Sequence, residues 1–291
     1  MVSKIENTVL YKFTGAGNDF VILDGRKAVP APTAAPAPSA APAAPVAPDL
    51  SAFRDPSRIR ALCKEYRTDG LMILETAEDV DFTMDFYNPD GSGGMMCGNG
   101  GRCIVAFADY LGMKPAAADG SWLFRAPDGL HTAEILKRDG RIWTVRLGMR
   151  EVHGVKPMMG GYFLDTGTRH LVSFVDDVDA VDVETEGRAL RLNPAFAPEG
   201  TNVNFVSRRG DILYVRTFEK GVEGETLACG TGLTASAVAA WYHGIRPAGA
   251  APEAVFRLVC RRGDELSVRF TPSGGDDYTS VFLTGPAELL V

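Results

Sequence analysis

The chain has 291 residues, of which 45% are hydrophobic and 23% are charged, and its formal net charge is −7. This composition is ordinary for a globular protein with a sizeable core, and the acidic balance argues against nucleic acid or an anionic membrane as the main partner. The five cysteines form no C-x-x-C pair, and there is neither an apolar run of about 20 residues nor an apolar leader, which argues against a disulfide framework, a membrane span and a secretory signal. We therefore expect a soluble, cytoplasmic protein of mixed α and β structure, in two domains or one large one.

The first distinct feature along the chain is a tract of Ala and Pro at residues 30–48. Such a tract has little to bury, so we expect an extended surface insertion with no chemical role. After it, Asp55 and Pro56 have the residue types of an N-cap and a first helical position. Helical spacing then places four residues on one face: Ile59, Leu62, Cys63 and Tyr66.

The same order of strand, Gly-rich loop and helix occurs twice. In the first copy, a strand at residues 81–87 precedes a loop that ends in Cys97-Gly98-Asn99-Gly100, and the helix face carries Cys103, Ala106, Phe107 and Tyr110. In the second copy, a strand at residues 211–218 precedes a loop that ends in Cys229-Gly230-Thr231-Gly232, and the helix face carries Leu233, Ala237 and Trp241. The repeat predicts two copies of one αβ unit.

Two further segments extend the repeat. Residues 15–20 resemble residues 200–205, and residues 122–135 resemble residues 257–270. We therefore predict an N-terminal domain over residues 1–148 and a C-terminal domain over residues 149–291, with the active site in the cleft between them.

Each Cys-Gly-x-Gly segment lies where a loop enters a helix. The free N–H groups and the dipole at such a point favour negative charge, which lowers a thiol pKa and can hold a carboxylate. Two such termini facing each other would present one sulfur to each side of a carbon next to that carboxylate. One thiolate as base and one thiol as acid could then invert a stereocentre.

Other interpretations of these residues are weaker. Cys63, Cys103 and Cys260 have the spacing of core residues on a helix or strand. Neither glycine-rich loop has the Gly-Lys-Ser/Thr ending of a phosphate-binding loop. The four histidines, at positions 131, 153, 170 and 243, lack metal-ligand spacing, so we expect no metal. A structural disulfide between Cys97 and Cys229 does not suit a cytoplasmic protein.

The sequence resembles the diaminopimelate epimerase family, cofactor-independent enzymes of bacterial lysine and cell-wall synthesis. The matching segments run in family order over nearly the whole chain apart from the Ala/Pro insertion. They are residues 15–20, 69–71, 88–92, 96–103, 201–205 and 219–232. The Cys-Gly-Asn-Gly and Cys-Gly-Thr-Gly segments alone would also admit proline racemase, which has a similar duplicated fold.

The resemblance implies an α+β fold of two pseudo-symmetric domains, each a curled, barrel-like sheet around a central helix, and a homodimer without cofactor. It implies that Cys97 and Cys229 are the acid/base pair. The implied substrate-binding residues are Asn18, Asn88, Gly98, Asn99, Asn202, Glu219, Lys220, Gly230 and Thr231. His170 and Glu219 would tune the thiols or hold the substrate ammonium.

Three residues depart from the family pattern: Thr168 replaces a substrate-binding Asn, Lys220 replaces the Arg expected to hold the distal carboxylate, and Gly70 replaces a Gln found in some members. Lys keeps the charge of Arg but loses its bidentate fork, which Arg169 could compensate. We therefore expect conversion of LL-2,6-diaminopimelate to meso-diaminopimelate. The alternatives are a racemase or epimerase of another amino acid and a non-catalytic binding protein of this fold.

Overall fold

The computed structural model describes the backbone of residues 2–5 and all atoms of residues 8–26, 50–94, 97–247, 249 and 252–290. The predicted surface insertion at residues 30–48 lies outside the described residues and stays a prediction. Within the described part of the chain, no helix is both long and apolar enough to cross a membrane.

The secondary structure consists mainly of strands, with four α-helices in the described residues. The helices are α1 (Pro56–Tyr66), α2 (Gly98–Tyr110), α3 (Val183–Arg191) and α4 (Gly230–Tyr242). The strands are β1 (Val2–Ile5), β2 (Thr8–Gly15), β3 (Asn18–Asp24), β4 (Gly70–Glu75), β5 (Phe82–Tyr87), β6 (Trp122–Ala126), β7 (Gly129–Asp139), β8 (Ile142–Gly148), β9 (Val152–His153), β10 (Lys156–Met158), β11 (Gly161–Asp165), β12 (Arg169–Phe174), β13 (Asn202–Arg209), β14 (Ile212–Glu219), β15 (Gly224–Thr226), β16 (Ala254–Val259), β17 (Glu265–Pro272) and β18 (Asp277–Leu289).

Helix α1 begins where the sequence predicts. The Asp55 side chain accepts hydrogen bonds from the backbone N–H groups of Ser57 and Arg58, both at 3.0 Å, and Pro56 occupies the first helical position. On the predicted apolar face, Ile59, Leu62 and Cys63 are buried, and Tyr66 is partly buried at the edge. This face covers the outer side of β3 and β4.

Seven strands of the first half and the last strand of the chain form a closed barrel. Strands β2 to β8 pair in sequence order, with β3–β4 and β5–β6 parallel and the other pairs antiparallel. The last strand closes the ring, because Gly285 of β18 pairs with Val145 of β8 and Glu288 pairs with Thr14 of β2. Helix α2 occupies the interior and is buried on all sides from Gly98 to Ala108, as expected of a helix enclosed by a sheet.

The second half repeats this arrangement. Strands β11, β12, β13, β14, β16, β17 and β18 pair in that order, and the parallel pairs are β12–β13 and β14–β16. Helix α4 lies in the interior, where closely spaced small residues let the sheet approach it: Ala235, Ala237, Ala239 and Ala240 are all fully buried. The predicted fold class, a duplicated α+β fold with a curled sheet around each central helix, is confirmed.

The predicted repeat is correct in its central part and wrong in one segment. The strand–loop–helix units and the hairpins at residues 122–135 and 257–270 occupy equivalent places. Residues 15–20, however, form the β2–β3 turn, and their structural counterpart is the β11–β12 turn at residues 165–170, not residues 200–205. Residues 200–205 lead into β13, which pairs with β12 as β4 pairs with β3. The division at Gly148 stays a prediction.

Candidate active site

The N-termini of the two central helices face each other. Cys97 is the N-cap of α2 and Cys229 is the N-cap of α4. A Cβ atom on Gly230 would lie 3.6 Å from the Cα atom of Gly98 and 2.9 Å from Cδ2 of Leu283, so the first residues of both helices are in backbone contact. The absence of side chains at Gly98 and Gly230 therefore allows the two termini to meet.

Cys97 lies half-buried at the start of α2. Its Sγ atom accepts a hydrogen bond from the N–H of Gly100 at 3.2 Å. Burial raises the pKa of this thiol and the charge of Glu219 adds to that, whereas the Gly100 N–H and the positive charge of Arg102 oppose it.

Cys229 is more deeply buried, with 8% of its surface exposed. Burial raises the pKa of its thiol to about 12, and the negative charge of Glu219 contributes in the same direction. A contact of 3.4 Å between Sγ and the Thr231 hydroxyl partly offsets the increase. The expectation that the helix N-termini lower both thiol pKa values is therefore wrong for this structure, because burial outweighs the helix terminus.

Both thiols line one cleft of about 570 Å³ between the two halves. All but one of the predicted site residues line it: Asn18, Asn88, Cys97, Gly98, Asn99, Asn202, Glu219, Lys220, Cys229, Gly230 and Thr231. Sequence reasoning missed several lining residues, among them Phe20, Asp69, Phe86, Glu225 and Thr226. All of these but Phe86 lie in the quoted motifs at residues 15–20, 69–71 and 219–232, which gave no signal for the individual side chains.

His170 does not line the cleft. It is fully buried behind Thr231, with Nε2 3.1 Å from the Thr231 hydroxyl and 2.9 Å from the Thr168 hydroxyl. Desolvation lowers the pKa of His170 to about 3, so the ring is neutral at physiological pH. Nδ1 faces the amide nitrogen of Asn204 at 2.9 Å, which leaves the ring proton on Nε2, directed at the two hydroxyls. Any effect of His170 on Cys229 therefore passes through Thr231.

Glu219 brings a carboxylate close to both sulfurs. It is partly buried at the end of β14, and its Oε2 atom accepts a hydrogen bond from the Thr226 hydroxyl at 2.9 Å. Desolvation raises the pKa of Glu219, and the Thr226 hydroxyl opposes this increase. Its charge raises the pKa of both cysteines, most clearly that of Cys229.

Amide side chains line the rest of the cleft. Asn99 donates to Oδ1 of Asn18 at 2.6 Å. Asn88 donates to the Ser92 hydroxyl at 3.0 Å. Asn202 accepts from the backbone N–H of Lys220 at 2.8 Å and donates to the carbonyl of Arg169 at 3.0 Å. These bonds fix the orientation of each amide relative to the cleft.

Of the two cations considered for the distal end of a substrate, the structure brings one into the cleft. Lys220 lines it, and its Nζ atom donates to the carbonyl oxygen of Glu199 at 3.1 Å. Arg169 instead pairs with the Glu199 carboxylate at 2.9 Å and lines a different surface pocket. The idea that Arg169 compensates for the Arg-to-Lys departure is therefore not supported by this geometry.

Among the described residues, no group of three or more His, Cys, Asp or Glu side chains is arranged to hold a metal ion. The expected absence of a metal stays a prediction.

Solved structures with the same fold come from several kinds of protein. The chain matches a PhzF-family phenazine biosynthesis protein from Bacillus anthracis with a TM-score of 0.68 and 12% identity, covering 97% of this chain and 96% of that one. It matches a probable proline racemase from Agrobacterium radiobacter K84 with a TM-score of 0.60 and 18% identity, covering 97% and 92%. At these identities the similarity establishes the fold, a duplicated α+β architecture.

Curated relatives match this chain over nearly its whole length, at a higher sequence identity than these solved structures. Diaminopimelate epimerase of Chlorobaculum tepidum is 35% identical over 285 residues, covering 94% of this chain and 96% of the relative. That of Flavobacterium psychrophilum is also 35% identical, covering 97% of each. The sequence profile for diaminopimelate epimerase matches residues 162–287. The chain is thus an isomerase of the epimerase type, which sets aside the non-catalytic alternative. It belongs to the diaminopimelate epimerase family.

Proposed function

We propose that the chain converts LL-2,6-diaminopimelate to meso-diaminopimelate by acid/base catalysis with Cys97 and Cys229, without cofactor or metal. The observation that carries this proposal is the meeting of two cysteine-capped helix N-termini in one cleft. A base and an acid on opposite sides of one carbon are what inversion requires. The reaction would supply precursors for lysine and peptidoglycan synthesis.

The two thiols have different environments, which suggests their roles. Cys229 keeps its proton at neutral pH, since its pKa is raised to about 12, and it acts as the acid. Burial also raises the pKa of Cys97, but the Gly100 N–H and the positive charge of Arg102 favour its thiolate, and it acts as the base. After proton transfer the roles are exchanged, which permits the reverse reaction.

The helix termini bind the reacting carboxylate in this proposal. The N–H groups of Gly98 and Asn99 on α2, and of Gly230 and Thr231 on α4, point towards the place where the helices meet. The same N–H groups stabilise the negative charge that develops when the α-proton leaves. Because they are backbone groups in packed helices, they need no reorganisation during the reaction.

The remaining lining residues hold the rest of the substrate. Asn18, Asn88 and Asn202 bind its polar groups, and Glu219 lies where it could accept a hydrogen bond from the ammonium. Lys220 binds the distal carboxylate, and its position in the lining of the cleft supports this role. His170 tunes Cys229 indirectly through the Thr231 hydroxyl.

The division into domains 1–148 and 149–291, the homodimer and the cytoplasmic location remain part of this proposal. Strand β18 pairs with strands of both halves, so the two proposed domains would fold against a shared last strand.

Serine variants of the two thiols test the mechanism. Cys97→Ser and Cys229→Ser should each reduce epimerisation by about 10²–10⁴-fold, because each removes one acid/base group. The assay follows diaminopimelate stereoisomers by chiral chromatography and incorporation of deuterium from D₂O. Cys63→Ser is the control. Cys63 is buried on the apolar face of α1, and it is distant in sequence from the N-termini of α2 and α4. Near-normal turnover in a folded Cys97→Ser or Cys229→Ser protein would refute the two-thiol mechanism.

A racemase or epimerase of another amino acid is the second candidate. Thr168 lines the cleft where the family has Asn, and the Lys220 ammonium is already bonded to the Glu199 carbonyl. The Lys220 contact concerns the distal end of the substrate, whereas the Thr168 hydroxyl donates to that of Thr231 at 3.2 Å and so also adjoins the surroundings of Cys229. Measuring α-hydrogen exchange in D₂O for a panel of amino acids separates the candidates, since a distal site for carboxylate predicts a strong preference for diaminopimelate.

A further inference from the structure

A fully buried guanidinium lies behind the N-terminus of α2. Arg102 follows Cys97 by five residues and has none of its surface exposed. Its three nitrogens donate to the Gly98 carbonyl at 3.1 Å, to Oδ1 of Asn99 at 2.7 Å and to the Pro286 carbonyl at 3.2 Å. All three acceptors are neutral.

The charge of Arg102 has no carboxylate partner within salt-bridge distance in the described part of the chain. Asp264 acts on it electrostatically but pairs with Arg262 at 3.3 Å. A buried charge is costly unless an anion compensates it. Other groups that could supply negative charge around Arg102 are the thiols of Cys97, Cys103 and Cys260.

The repeat contains a neutral residue at the equivalent place. Thr234 follows Cys229 by five residues, and its hydroxyl donates to the Gly230 carbonyl at 3.0 Å, as Arg102 does to the Gly98 carbonyl. Both side chains therefore satisfy the same carbonyl of their helix. The difference between the two halves is the charge, which is present behind Cys97 and missing behind Cys229.

Arg102 also fixes the direction of two amides. A guanidinium can only donate, so the oxygen of the Asn99 amide must face it. The Asn99 NH₂ group then donates to Oδ1 of Asn18. Oδ1 of Asn18 is thereby occupied, and its NH₂ group, which forms no hydrogen bond with the described residues, is left for a ligand in the cleft.

We propose that Arg102, the buried cation behind the α2 N-terminus, is a positioning residue that favours the thiolate of Cys97 and turns the Asn18 amide so that its NH₂ group meets the substrate carboxylate. The second part rests on the proposed function. The first part concerns the ligand-free enzyme and is independent of it.

Other ionisable groups act on the same pair. Glu219, at the end of β14, opposes ionisation of Cys97, and Cys229 on α4 shares the cleft with it. Cys103, Cys260 and Asp264 surround Arg102 itself. Since all of these are unchanged in a variant at position 102, a change in the ionisation of Cys97 there reports the loss of the guanidinium.

The test of the first part is the pH dependence of Cys97 alkylation by iodoacetamide, followed by peptide mass mapping without substrate. Arg102→Gln removes the charge and should raise the midpoint by on the order of one pH unit, which slows alkylation about tenfold at a fixed lower pH. Arg102→Lys keeps the charge and should keep the wild-type midpoint. Thr234→Val is the control, and it too should leave the Cys97 midpoint unchanged.

An unchanged midpoint in Arg102→Gln, with wild-type circular dichroism, would overturn the role of the charge, as would an equal shift in Thr234→Val. If Arg102→Gln does not fold, Arg102→Met replaces it as the neutral variant.

A double-mutant cycle tests the second part. Arg102→Lys loses the fork that holds Asn99 and should raise KM about tenfold with a smaller change in kcat. Asn18→Asp replaces the NH₂ donor with an acceptor and should raise KM at least as much. If both act through one relay, the double variant is no worse than the poorer single variant, whereas fully additive losses would overturn the relay. A wild-type enzyme inactive on diaminopimelate would refute the proposed function and leave the alkylation result standing.

Discussion

Adding one methyl group where the two central helices meet should separate activity from stability. In Gly230→Ala the new Cβ would lie 2.9 Å from Cδ2 of Leu283 and 3.6 Å from the Cα atom of Gly98. Relieving such an overlap typically costs about 1–3 kcal/mol. Alanine, however, favours a helix over glycine by up to about 1 kcal/mol, and Gly230 has ordinary helical φ. The net loss of stability should therefore be at most about 3 kcal/mol.

The effect on catalysis should be larger than that on stability. The methyl group pushes the α4 terminus away from that of α2, and a displacement of about 1 Å at a reacting centre can cost on the order of 10²-fold in rate. The assay compares kcat/KM for diaminopimelate with the thermal midpoint of unfolding. Gly93→Ala is the control, because a Cβ there meets no atom within 4 Å.

Shortening the opposing side chain provides a second comparison. Leu283→Val removes the atom that the new methyl group would strike, so Gly230→Ala combined with Leu283→Val should lose less activity than the two separate losses predict. Full activity in Gly230→Ala, at normal stability, would show that the two helix termini need not touch during turnover, and the carboxylate cradle proposed above would be wrong.

Three further outcomes are expected. Mild oxidation should link Cys97 to Cys229 and abolish activity reversibly, because sulfurs that flank one carbon are close enough for a disulfide; mass mapping that never finds this link would contradict the shared cleft. Deleting residues 30–48 and joining the ends with a short Gly/Ser link should leave the thermal midpoint of unfolding unchanged and kcat within about twofold, because loop-closure entropy changes slowly with length. A large loss of stability or activity would give the tract a structural role. Lys220→Met should raise KM for diaminopimelate about tenfold, the value of one lost charged hydrogen bond, while Arg169→Met, its control on another surface, should not; equal KM values in both variants would place the distal carboxylate elsewhere.

The features that sequence predicts best here are those set by short-range rules. The start of α1 follows from Asp55 and Pro56, whose cap geometry depends on the adjacent backbone alone. The two strand–loop–helix units are visible because each Cys-Gly-x-Gly segment needs glycines where the helices meet. Eleven of the twelve predicted site residues line one cleft, since the motifs that carry them lie at helix starts and strand ends.

The features that sequence could not predict depend on burial and on distant partners. The thiol pKa values rise because the sheet and the opposite helix exclude water, which no local pattern reveals. His170 lies behind Thr231 because β12 pairs with β13, which turns its ring into the interior. The closure of the first barrel by β18 joins residues more than 130 positions apart, such as Val145 and Gly285, and turn chemistry alone gives no sign of it.

The two halves therefore share a backbone plan but differ in the polar groups behind each sulfur. Behind Cys97 lies a charged chain that runs from Arg102 through Asn99 to Asn18. Behind Cys229 lies the neutral pair of Thr231 and His170. An exact repeat would give two thiols with equal pKa values, and neither would be favoured as base or acid in the free enzyme. Because inversion needs one of each at the moment of reaction, a duplicated fold gains by breaking its symmetry in side chains while its backbone keeps the two sulfurs on opposite sides of one cleft.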